Sequence, residues 1–143
     1  MEYIIRYEKA KTSYERSLSV YSRILSRKEE LFQRTQPKGI AIDPDRVQGS
    51  GDGNPLEEYM IRKEKLGLDQ KLTEAWSIVE SRTLLMERAE ANLRMSKGVY
   101  DKIYTARYLD GIPVHTIARR LHYSESNVYR ILSIIDRKKK HKK

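Results

Sequence analysis

From Ile4 to Phe32 the apolar side chains return every seven residues. Ile4, Lys11, Leu18, Leu25 and Phe32 form one row, and Tyr7, Tyr14, Tyr21 and Lys28 form a second row three residues later. Spacing that alternates between three and four is that of a helix with a coiled-coil seam, so residues 1–34 are expected to make a first long helix. Three tyrosines in one row argue for loose or antiparallel packing, because a phenolic hydroxyl wants a polar partner or the edge of the seam.

The pattern breaks off at residue 35. Between Thr35 and Pro55 lie four glycines and three of the four prolines of the chain, a composition in which no helix persists. Residues 35–55 are therefore expected to form a flexible loop. Heptad spacing resumes over 56–97: Asn54 is placed to cap a helix that has Pro55 in its first turn and Glu57 and Glu58 at its positive end. Leu72, Val79, Met86 and Leu93 form its row, with Ala75, Trp76, Thr83 and Ala89 beside it and Gly67 as a site for a kink. Trp76 and Met86 read as packing residues on this stripe. The two stripes either fold against each other or meet copies in other chains, so a homo-oligomer through this region is an expectation.

Residues 98–143 follow a different rhythm. Ser96-Lys97-Gly98 precedes a short helix over Val99 to Leu109, whose Val99, Ile103, Ala106 and Leu109 share one side. Asp110-Gly111 turns the chain, and a helix starting near Pro113 carries Ile117, Ala118 and Leu121 inward, with Ala118 where two helices would cross closely. His122-Tyr123-Ser124 reads as a turn in which Tyr123 packs inward and Ser124 caps the next helix. That helix turns Val128, Ile131 and Ile135 inward and the opposite, polar face outward. The expected fold is all-α: two long coiled-coil-like helices followed by a C-terminal helix-turn-helix domain.

Charge sharpens this picture. Of the net +9, residues 99–143 carry +7, from 11 Lys and Arg against 4 Asp and Glu. Cationic side chains beside a helix-turn-helix neutralise phosphates and release their counterions, which makes double-stranded DNA the expected partner. The alternative without a ligand is a three-helix bundle with a solubilising tail. The absence of cysteine excludes disulfides and thiolate metal sites. The charged N-terminus lacks the apolar stretch of a signal peptide, and no apolar run is long enough to span a membrane, so a cytoplasmic protein without membrane contact is expected. No Gly-rich phosphate loop, nucleophile elbow or metal-ligand cluster is present, which points away from an enzyme, and no cofactor is expected.

Candidate chemistry follows from the polar face. Glu125, Ser126, Tyr129, Arg130 and Ser133 are the candidates for base readout: Arg130 can bridge guanine O6 and N7, and Glu125 can accept from cytosine N4. Thr116, Arg119, Arg120, His122, Ser124, Arg137, Lys138, Lys139 and Lys140 are the candidates for phosphate contacts. His122 stands where such turns often carry glycine, which implies either a strained backbone or a side chain used on phosphate.

The stretch from Ala106-Arg107-Tyr108-Leu109-Asp110-Gly111 through Ile117-Ala118-Arg119-Arg120-Leu121-His122-Tyr123-Ser124 to Val128-Tyr129-Arg130 resembles sigma factor region-four-like helix-turn-helix domains, and most of all those of small phage regulators of the ArpU and RinA type. The resemblance is specific over residues 99–137. It implies a phage or prophage late-gene activator in a bacterial host cell, with RNA polymerase as a further partner; His122 departs from the family's turn glycine. A second reading is the DNA-recognition (small) subunit of a phage DNA-packaging terminase, which also joins a helix-turn-helix to helical oligomerisation.

Overall fold

The computed structural model describes residues 1–35 and 55–141. Among the described residues the chain is helical throughout its regular structure: α1 (Glu2–Thr35), α2 (Pro55–Leu66), α3 (Leu68–Met95), α4 (Val99–Tyr104), α5 (Val114–Leu121) and α6 (Glu125–His141), with a π-helical turn over Thr105–Leu109. The all-α class is as expected. The Gly/Pro-rich loop falls, but for its ends, outside the described residues. Gly67, the anticipated kink, has φ +61° and separates α2 from α3, a conformation that costs a glycine little.

The helices divide into two compact units, of which the first is discontinuous in sequence. The first comprises Met1–Glu15 and Ser81–Lys143, the second Arg16–Glu80. The heptad rows of α1 and α3 thus each supply side chains to two separate interiors.

In the first unit, Ile4 and Tyr7 of α1 and Leu93 of α3 are buried with Ile103 and Tyr104 of α4, Val114, Ile117 and Ala118 of α5, and Val128, Ile131, Leu132 and Ile135 of α6. Each Ile or Val so enclosed contributes about 1.5–3 kcal/mol relative to exposure. α4 and α5 both pack on α6. The helix that begins at Val99 differs from the expected side-chain arrangement. Val99 is exposed and Tyr104 is 1% exposed, so the row facing the interior runs through 103 and 104. After Tyr104 the chain widens by one residue per turn: the Asp110 N–H donates to the Thr105 carbonyl at 3.0 Å, five residues back. Gly111 then takes φ +66° and releases the chain toward Pro113, whose extended backbone starts α5.

The second unit has a thin interior of Tyr59, Leu68, Ala75 and Val79. Aromatic pairs flank it: Phe32 meets Tyr59 edge-on at 5.0 Å, and Tyr21 meets Trp76 at 5.1 Å. The Asp69 carboxylate lies between Lys63 at 2.8 Å and Lys28 at 3.0 Å, and hydrogen bonding to these ammonium groups holds it below the usual carboxylate range. Trp76, read as a packing residue, lies tilted at 54° against Tyr21 but stays nearly half exposed, with its indole N–H donated to Glu80 at 2.8 Å.

Candidate nucleic-acid interface

The turn between α5 and α6 is built from backbone. His122 adopts φ +58° and ψ +40° and is the non-glycine residue with positive φ among those described. The Tyr123 N–H donates to the Ala118 carbonyl at 2.9 Å and the His122 N–H to Arg119 at 3.4 Å. This paired closure ends a helix through a left-handed residue, a position glycine fills without the steric cost that a Cβ brings. Ser124 then caps α6, its Oγ accepting the Asn127 N–H at 3.2 Å. Tyr123 differs from expectation. It is 37% exposed, while Leu121 and Ile112 pack against the core.

The two faces of α6 are segregated along 17 residues, a length of about 25 Å. Val128, Ile131, Leu132 and Ile135 are buried, whereas Ser126, Tyr129, Arg130, Ser133, Arg137 and Lys140 are exposed. Steps of three and four residues connect Ser126, Arg130, Ser133, Arg137 and Lys140 into one outward stripe. All five base-readout candidates are exposed: Ser126, Tyr129, Arg130 and Ser133 share this side of the helix, and Glu125 lies in its first turn. Of the phosphate candidates, Arg119, Arg120, His122, Ser124, Arg137, Lys138 and Lys140 are exposed and Thr116 is half-buried.

Lys139 stands apart from that set. It is seven residues beyond Leu132 and four beyond Ile135, hence on the inward row. Its Nζ lies 3.1 Å from Glu8 Oε1, 4.8 Å from the centre of the Tyr108 ring and 5.4 Å from that of Tyr104. The Tyr104 hydroxyl also donates to the Glu8 carboxylate. Burial pushes the Tyr104 phenol well above its ordinary value, and the bond to Glu8 adds to the shift. Burial alone would raise the Glu8 carboxyl; hydrogen bonds from Tyr104 and Lys139 outweigh it and hold the group below its usual range. Nearby, the Tyr108 hydroxyl donates to Asp136 at 2.9 Å, and burial followed by that bond raises its phenol as well. The inward face of α6 is thus tied at its last turns to α1, α4 and the π-helical turn, and its outward face is left to solvent.

Neither family models, nor curated proteins, nor solved structures contain a match to this chain. No helix among the described residues is long and apolar enough to cross a membrane, and no group of three His, Cys, Asp or Glu among them is placed to hold a metal ion.

Three contributors escape a reading of the local pattern. Glu8 has no nearby signal, since its partners Tyr104 and Lys139 lie 96 and 131 residues away in sequence. Tyr104 belongs to a row of tyrosines at 100, 104 and 108 that adjoins the apolar row. Asn127 accepts from Arg130 three residues on, a spacing that places both on one side of the helix.

Proposed function

We propose that the first unit binds double-stranded DNA, with α5 and α6 as a helix-turn-helix and α6 as the helix that enters the major groove. The observation that carries this reading is the segregation of α6: a continuous exposed stripe holding Arg130, Arg137 and Lys140 backs onto a row of buried aliphatic residues. The flanking arginines Arg119 and Arg120 are exposed on α5, where they suit phosphate contacts that fix register without reading sequence. With the resemblance to phage regulators of the ArpU and RinA type, we infer a transcriptional regulator acting in the bacterial cytoplasm. RNA polymerase and further copies of the chain are its proposed partners, the copies meeting through the long helices.

Selection of bound fragments from random duplex DNA tests the reading. Enrichment of one short site, with affinity falling steeply as salt rises, is the expected result. Binding without any enriched site overturns sequence-specific regulation and favours a packaging or architectural role. Absence of binding at low salt overturns the DNA reading.

A further inference from the structure

Among the paired arginines of the first unit, Arg130 differs from Arg6 and Arg94 in what holds it, while Arg107 donates to the Ile112 carbonyl at 3.4 Å. Arg6 pairs with Glu2, and Arg94 is shared between Glu90 at 3.0 Å and Asp110 at 3.1 Å. Their charges are spent on carboxylates within the protein. Arg130 has no carboxylate three or four residues away on α6. Its guanidinium is gripped instead by a neutral amide: Asn127 Oδ1 accepts from Nε at 3.2 Å and from Nη2 at 2.8 Å.

That grip has a definite geometry. A guanidinium offers five N–H groups in a planar fork. Asn127 occupies the side edge, formed by Nε and one N–H of Nη2, and leaves the end edge of Nη1 and Nη2 without an intramolecular acceptor among these bonds. The end edge is a two-donor fork that matches the adjacent acceptors O6 and N7 of guanine. A neutral holder also leaves the full positive charge in place, and it limits the rotamers that a long side chain otherwise gives up on binding. The Asn127 backbone N–H is engaged separately, by Ser124 Oγ at 3.2 Å, so the side-chain grip and the helix cap are independent.

We propose that Asn127 is a positioning residue that presents the end edge of Arg130 to a guanine in the major groove. This rests on the duplex-binding reading above and adds to it a residue that sets specificity without touching the base. Asn127→Ala frees the guanidinium while keeping the backbone cap; Asn127→Asp keeps an oxygen acceptor at the same place.

The test uses the full chain and the duplex enriched by the wild-type protein, together with versions changed at each position, with affinities measured over a range of salt. Arg130→Ala identifies the guanine that Arg130 reads. Asn127→Ala is expected to lower discrimination at that same base pair by roughly threefold to tenfold, with an unchanged salt slope, and Asn127→Asp, which keeps the acceptor but pairs the guanidinium with a carboxylate, is expected to retain discrimination there while weakening binding to all duplexes alike. If Asn127→Ala alters preference at a different base pair, Asn127 reads a base directly and the proposal fails. Uniform weakening on all duplexes by Arg130→Ala also overturns it, because Arg130 then meets phosphate. Discrimination unchanged in Asn127→Ala, with Arg130→Ala relaxed, removes the positioning role and leaves the duplex reading intact. A wild-type chain that binds no duplex removes both.

Discussion

Lys139 Nζ lies 3.1 Å from Glu8 Oε1, joining the last turns of α6 to the second turn of α1 across 131 positions of sequence. Both side chains are about four-fifths buried, so solvent screens this pair less than a surface one. The carboxylate also accepts the Tyr104 hydroxyl. An amide in its place keeps an oxygen acceptor but loses the charge that the ammonium and the phenol face. Glu8→Gln is expected to destabilise the protein by about 1–3 kcal/mol, read as a lower urea midpoint. Lys139→Ala should cost less in the Glu8→Gln background than alone, giving a coupling of about 1 kcal/mol in a double-mutant cycle.

Lys139 and Lys140 are neighbours with different surroundings. On a duplex, Lys140→Ala should weaken binding to all sequences and reduce the salt slope by about one. Lys139→Ala, with its ammonium already engaged by Glu8, should leave that slope unchanged. Equal slopes for the two variants would place Lys139 among the phosphate contacts.

Ile4 is fully buried with α4, α5 and α6 residues although it lies at the opposite end of the chain. Ile4→Ala is expected to cost about 2–5 kcal/mol, since the cavity it leaves adds to the lost burial. Hydrogen exchange offers the check: amides of α6 should lose protection along with those of α1. Loss confined to α1 would mean that α6 is held without it.

His122 carries a left-handed backbone, and glycine adopts that conformation without steric cost. His122→Gly should raise stability by about 1 kcal/mol and His122→Val should lower it. Both are measured by denaturant unfolding. A loss on glycine substitution would mean that the imidazole makes a contact worth more than the backbone strain.

Tyrosine ionisation gives the pH dependence a sign. Tyr7, Tyr104 and Tyr108 are all raised above the ordinary 10.0, in each case first by burial. A group raised on folding contributes stability that is complete below pH 10 and is lost as pH climbs toward its folded value. Phenolate absorbance should therefore show a fraction of the ten tyrosines that resists titration above pH 10 until the protein unfolds. Glu8 acts at the other end: held below its ordinary 4.5, it contributes above that value, and its contribution fades as pH falls through the folded value.

Local chemistry made the α5–α6 region legible in the sequence. Ser124 as a cap, the oddity of His122, and Val128, Ile131 and Ile135 at helical spacing are all short-range signals, and each corresponds to a feature of the turn or of α6. The position of Lys139 was also readable, four residues beyond Ile135, but a run of lysines hides its phase. Periodicity states which face of a helix is buried and not what covers it. Ile4 and Tyr7 therefore looked like the start of a seam that continues to Phe32, whereas Lys11 is exposed and Leu25 and Phe32 remain partly exposed. Tyr123 closes the helix through its backbone N–H, while its ring is 37% exposed.

The outward stripe of α6 is tested most directly by nuclear magnetic resonance of the full chain titrated with its selected duplex. The account predicts that the largest shifts and lost solvent accessibility fall on Ser126, Tyr129, Arg130, Ser133, Arg137 and Lys140, with Glu8 and Tyr104 little changed. Shifts centred elsewhere, with that stripe still open to solvent at saturation, would contradict it.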